Sequence, residues 1–301
     1  MNVKELRDIP PWEWPQDAPE TILETLRNRF AELEDRIDAA QMAGDATIVD
    51  DELADALLSV LTDDSEDENL RAMAAIALGP GLETADMMGL DDEDCPFSEE
   101  MFGRILDTLE SIVKDESKPK LLRRRALEGG VRAQDEWQAD IVSDAYAGDD
   151  PEWHLTAVFC MQYVPGFDEQ ILEVLRGDDP AEIYCAVTAA GNFEIREAWS
   201  HIRAILEHGA HSEDEKWLLI EAIEAAPLVN NDRYLEYVEP YVSDEDEDIA
   251  EAAEEALAMG EAYANMPSDE DDEDYEDYED DENYDGDYEE GDLDDEGEEE
   301  D

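Results

Sequence analysis

Apolar residues recur along this chain with the spacing of one helix face, and they do so at nearly regular intervals. Leu70, Met73, Ala74, Ala77 and Leu78 stand at offsets of 0, 3, 4, 7 and 8, a stripe that a 3.6-residue period keeps on one side. The same template fits Trp153, Thr156, Ala157, Cys160 and Met161, then Ile183, Ala186, Val187, Ala190 and Gly191. It fits again at Ile249, Ala252, Ala253, Ala256 and Leu257. Leu219, Ala222, Ile223 and Ala226 follow it until Pro227, which is expected to stop that helix. Leu122, Ala126, Gly129 and Gly130 follow it less well, because Arg125 breaks the face. The leading positions are 70, 122, 153, 183, 219 and 249, so the spacings are 52, 31, 30, 36 and 30. The period is near thirty, with one large insertion.

A short turn rich in Asp, Ser, Pro or Gly precedes most of these helices, as in LTDDSED, VKDES, AGDDP, RGDDP and VSDED. Before the turn lies another apolar-faced segment, such as Leu53, Ala56, Leu57, Val60 and Leu61, or Ile171, Leu172, Val174 and Leu175. Helix, acidic turn, helix, repeated about six times, predicts an all-α fold, an α-solenoid. Small residues at the centre of the second helix (Ala74, Ala157, Ala186, Ala253) permit close stacking of neighbours. The first helix is expected from near Thr21 to Gln41, opened by a Thr21-x-x-Glu24 capping box. Ahead of it, Trp12 and Trp14 lie between prolines. They either present a recognition element or cover the open face of the first repeat. Gly79 to about Phe97 reads as an acidic, Met-containing loop, on a binding face or as a passive insert.

The segment LLSVLTDDSEDENLRAMAAIALG resembles the HEAT-repeat pattern. It has an Asp in the turn, a following Leu70-Arg71 and an Ala-Ala-x-Ala-Leu-Gly close. It is most similar to the short HEAT-like repeats of the phycobilisome-lyase type, over roughly residues 45 to 264. The Arg recurs only as Arg71 and Arg123, while His154, Tyr184 and Ala250 depart from it, so the later repeats are degenerate. The resemblance implies a fold shared by scaffolds, adaptors and a few enzymes. HEAT-like deoxyhypusine hydroxylases hold iron through His-Glu dipeptides, and this chain has none. HEAT-like DNA glycosylases need a basic concave face, and no motif here identifies a bilin site.

Charge sharpens this reading. The 301 residues hold 90 acidic and 19 basic side chains, a net charge of −71, yet 42% are hydrophobic, enough for a packed core. Such a field argues against nucleic acid or an anionic membrane as a direct partner. Residues 267–301 carry 24 acids and no base. They are expected to be a disordered polyacidic tail, leaving −47 on a solenoid domain of residues 1–266. That body prefers Arg to Lys, which suits either a salt-rich cytoplasm or an ordinary charged surface. Cys95, Cys160 and Cys185 form no CxxC and are odd in number, which indicates a reducing compartment. With no apolar leader and no apolar run near 18 residues, the chain reads as a cytoplasmic protein, expected to be a monomer off the membrane.

Candidate chemistry is sparse. His201, His208 and His211, with Glu207 or Glu213, have spacings that could ligate Zn²⁺, or are plain surface and turn histidines. Asp281-x-Asn283-x-Asp285-Gly286, with Asp292 at the twelfth position, nearly matches a calcium loop, as an acid-rich tail does by chance. Lys114, Lys118, Lys120, Arg123, Arg124, Arg125 and Arg132 place 7 of the 19 bases within 19 residues. They either dock a phosphate, an acidic partner or the chain's own tail, or pair with carboxylates of neighbouring repeats. No catalytic triad order, phosphate loop or metalloprotease motif occurs, and no cofactor is implied. The expectation is a non-enzymatic scaffold or adaptor that binds a basic protein partner on an acidic, concave solenoid surface. The alternative is a lyase-like protein that handles a cofactor or small molecule in the concave groove.

Overall fold

The structure, a computed structural model, describes residues 2–264. Among them are sixteen α-helices and no strand. The expected six helix pairs are present: α4 (Asp51–Thr62) with α5 (Glu68–Ala77), α7 (Glu99–Lys114) with α8 (Lys120–Gly130), and α9 (Gln138–Ala147) with α10 (Pro151–Cys160). Then follow α11 (Asp168–Val174) with α12 (Pro180–Asn192), α13 (Trp199–His208) with α14 (Glu213–Val229), and α15 (Leu235–Val238) with α16 (Glu247–Ala264). A seventh pair, α2 (Ala18–Arg27) with α3 (Leu33–Ala43), precedes them and is itself covered by a short helix, α1 (Val3–Arg7). The acidic tail and its calcium-loop pattern lie outside the described residues.

The second helices α3, α5, α8, α10, α12, α14 and α16 pack on one another in unbroken succession, whereas neighbouring first helices are much less in touch. A stack that is tighter along one row curves toward it, so the second helices form the concave side. Small residues make this possible. A Cβ on Gly129 of α8 would lie 2.4 Å from the carbonyl oxygen of Ala75 in α5, and one on Gly44, just after α3, 1.9 Å from that of Ala77. The helices therefore approach almost backbone to backbone.

The acidic turns are capping devices. Asp50, Asp67, Asp150 and Asp179 each accept backbone N–H groups at the start of α4, α5, α10 and α12. Asp63 and Asp115 accept both the N–H and the hydroxyl of Ser65 and Ser117 inside their turns. Those hydrogen bonds hold the carboxyl of Asp63 down at about 2 and lower that of Asp115. The opposite helix ends are closed by long donors. Arg36, Arg71 and Arg123 each donate Nε to a carbonyl ten residues earlier, those of Leu26, Leu61 and Val113 at the ends of α2, α4 and α7.

Three segments differ from their expectation. The Thr21–Gln41 helix is two helices, α2 and α3, because Asn28 closes α2 with its Oδ1 taking the N–H of Phe30. No Thr21–Glu24 box forms, and the capping box of this region is instead Asn2 with Glu5, on α1. The segment read as a loop from Gly79 begins as a helix, α6 (Gly79–Met88), and only the residues after it are irregular. Pro80 sits in its first turn, where a missing N–H costs nothing. Pro227 does not stop α14, which continues two residues past it to Val229.

Candidate functional site

The basic cluster is engaged within the fold. Lys118 lies 2.9 Å from Asp64, and Lys120 reaches Asp150 at 3.0 Å and also Glu152. Arg124 is buried, with Nε donating to Thr156 Oγ1 at 2.9 Å and Nη1 on Glu152 at 3.2 Å. Arg125 pairs with Glu128, Arg132 with Glu83, and Lys114 with Glu110. Arg123 caps α7 and lies 5.4 Å from the Trp153 ring centre. The Lys118 ammonium lowers the Asp64 carboxyl, and that of Lys120 lowers Asp150. Similar pairs occur along the stack at the period of the repeat: Arg7–Asp38, Arg36–Glu66, Lys120–Asp150 and Lys216–Asp248 are 31, 30, 30 and 32 residues apart. In these pairs a base of one repeat is tied to an acid of the next.

The paired tryptophans separate. Trp14 packs on the core and its Nε1 donates to the carbonyls of Leu6 and Ile9, closing α1. Trp12 is 79% exposed. His201 and His208 line one groove of about 380 Å³ with Leu175, Ile183, Ile205 and Leu218. His208 and His211 stack edge to face at 5.0 Å, and His211 donates its backbone N–H to Glu215. Among the described residues no three His, Cys, Asp or Glu side chains are grouped to hold a metal. No helix there is long and apolar enough to cross a membrane.

Sequence reasoning passed over the division of the concave face into two halves. At the N-terminal end, a groove of about 520 Å³ has Ile37, Met73, Ile76 and Leu121 as its apolar lining, with Arg125 and Arg132 also on its wall. Toward the C-terminal end the face turns acidic and aromatic. Tyr184 of α12 is 37% exposed and Trp217 of α14 is 50% exposed. Trp217 stands one helical turn before Glu221, on the same face. The Tyr184 phenol is pushed up in its ionisation by burial first and then by the neighbouring Glu221 carboxylate. Glu224 follows on α14, and its carboxyl is raised by burial first and then by the charges of Glu221 and Glu255 of α16. No ion pair involves Glu221, Glu224 or Glu255 among the described residues, in contrast to the acids of those pairs.

Burial raises the thiols of Cys160 and Cys185, the latter to about 11, so both are protonated at neutral pH.

The arrangement defines a class of protein, an α-solenoid of helix pairs with a concave second-helix face. No protein-family model matches the chain, and no curated protein matches it. Similar solved structures include human deoxyhypusine hydroxylase in complex with glycerol (16% identity, 86% of this chain and 88% of that one, TM-score 0.38). Another is the complex of CpcE and CpcF of phycocyanin lyase from Nostoc sp. PCC7120 (18%, 84% and 98%, 0.43). A third is an engineered protein (17%, 86% and 70%, 0.39). Likenesses of this size carry no argument about activity, and the fold rests on the chain's own helix pairing.

Proposed function

We propose that this solenoid is a non-enzymatic scaffold that receives a basic protein segment on its concave face. One observation carries the reading: Glu221, Glu224 and Glu255 gather on that face without an internal base, while acids such as Asp64, Asp150 and Asp246 are paired to bases. A cation brought by a partner relieves the mutual repulsion that already raises Glu224. The test is titration of the full chain with a labelled arginine-rich peptide from low to high salt. Affinity should fall at least about tenfold between 50 and 500 mM salt, since charge attraction is screened. Salt-independent affinity, or no binding at low salt, contradicts the proposal.

The N-terminal apolar groove favours a second reading, a small-molecule or cofactor site, because its volume lies within the range of ligand pockets. A chromophore band in the absorption spectrum of the native protein would support it, and a spectrum of tryptophan and tyrosine alone would speak for the scaffold.

A further inference from the structure

We propose that Tyr184, Trp217, Glu221, Glu224 and Glu255 form a reading site for arginine side chains of an extended partner segment that crosses α12, α14 and α16. This deepens the scaffold reading and rests on it.

Carboxylates alone would take any cation, so the specificity comes from the aromatic rings. Two large rings stand exposed beside the glutamates, in a chain that buries most of its other apolar bulk. A guanidinium is planar, stacks on such rings, and forks onto a carboxylate, whereas an ammonium is a compact, strongly hydrated point charge. Tyr184 on α12 neighbours Glu221 on α14, so a ring and a carboxylate stand together where these two helices pack. Trp217 already has a cation near it: Lys216 Nζ lies 5.6 Å from the ring centre. Lys216 cannot serve the glutamates, because Asp246 and Asp248 hold it at 2.8 and 2.6 Å.

The geometry also sets a spacing. Packed helices lie about 8–10 Å apart, and an extended chain advances roughly 3.3 Å per residue. A segment laid across α12, α14 and α16 therefore meets a new helix about every third residue. The partner motif this predicts is arginine, two spacers, arginine.

The experiment uses the intact chain at 150 mM salt. The probes are a glycine-spaced peptide with arginine at every third position, its lysine counterpart, and spermine. The proteins are wild type, E221Q/E224Q, W217F and, as a charge-matched control, E99Q/E100Q on α7, each with its helical circular dichroism confirmed. The expected result is at least tenfold weaker arginine-peptide binding for E221Q/E224Q and less than twofold for the control. The arginine peptide should bind at least fivefold tighter than the lysine peptide and tighter than spermine. It should also quench indole fluorescence in wild type but not in W217F, a readout that diffuse attraction to the acidic chain does not produce. Equal loss in E221Q/E224Q and the control, or quenching retained in W217F, overturns the site and leaves the scaffold reading standing. Arginine and lysine peptides bound alike overturn the role of the rings. Failure of every probe to bind wild type overturns both proposals.

Discussion

Arg36 is the residue whose loss should cost the N-terminal repeats most. Its side chain is 6% exposed and that of its partner Glu66 is 10% exposed. Nη1 and Nη2 meet the two Glu66 oxygens at 2.6 and 3.0 Å, while Nε and Nη2 also donate to the Leu26 carbonyl at 3.2 and 3.0 Å. One guanidinium thus closes α2 and locks the first pair onto the turn of the second. Breaking a buried pair by removing one partner costs about 3–5 kcal/mol. Arg29 remains 3.6 Å from Glu66, which tempers the loss, so Arg36→Ala should destabilise this end by about 3 kcal/mol. Arg36→Lys keeps the charge but loses the fork, and should cost about 1–2 kcal/mol.

In a stack where each repeat touches only its neighbours, the loss stays local. Hydrogen exchange should speed up across α1 to α3 and stay unchanged across α13 to α16, and the denaturant transition should broaden as the first pair melts early. A cycle with Glu66→Gln should return a coupling of about 1–2 kcal/mol. Uniform loss of protection along the chain, or an Arg36→Lys variant as stable as wild type, would refute the reasoning.

Four further outcomes follow from the same contacts. Glu194 holds φ at 51° where α12 closes, with its N–H on Gly191 and that of Ile195 on Ala190, so Glu194→Gly should raise the denaturant midpoint by about 0.5–1 kcal/mol of stability. Gly44→Ala should cost about 1–3 kcal/mol or more, because the new methyl meets a backbone carbonyl that cannot move without parting α3 from α5; an unchanged melting temperature would contradict this. Trp14→Phe loses two accepting carbonyls and should cost about 1–2 kcal/mol, whereas Trp12→Phe should stay within about 0.5 kcal/mol. The pH dependence should have a maximum below neutrality. Glu224 is raised in the fold, so the native state binds the extra proton and stability grows as pH falls from 7 toward its unfolded value. Asp63, Asp64, Asp115, Asp150 and Asp246 are lowered, so below about pH 4 the unfolded state binds more protons and stability is lost. Denaturant midpoints from pH 7 to 3 that only fall would count against this assignment.

The repeat was legible wherever one side of a second helix packs only on other repeats, since burial there demands the 0, 3, 4, 7, 8 pattern. The first pair escaped notice because it packs on something else. Asp35 and Asp38 occupy the positions that Leu70 and Met73 hold later, and they face Lys4 and Arg7 of α1. Acid thus stands where the template requires an apolar residue, and Arg36, one place after the anchor like Arg71 and Arg123, went unread. The helix α6 was hidden by the opposite effect. Gly-Pro-Gly has the composition of a turn, but a Cβ on Gly79 would lie 2.5 Å from Arg132 and one on Gly81 2.4 Å from Phe97. Those glycines answer to packing partners far along the chain, which local pattern does not register.

The site is obscured for a related reason. The residue one place after each anchor is an arginine in the first three repeats, and it reaches back to close the helix before it. His154 keeps that direction, meeting the Tyr146 carbonyl at 3.2 Å. Tyr184 departs from it, neighbouring Glu221 of the next pair instead. A departure that reads as decay of the repeat is, in the folded chain, a change of use. Acids are subject to the same ambiguity. In composition, Asp150 and Glu224 add equally to the charge. In the fold, one caps a helix and holds Lys120, and the other crowds two glutamates with no base to offset them. Net charge counts both. Only the second kind is what the proposed basic segment would meet.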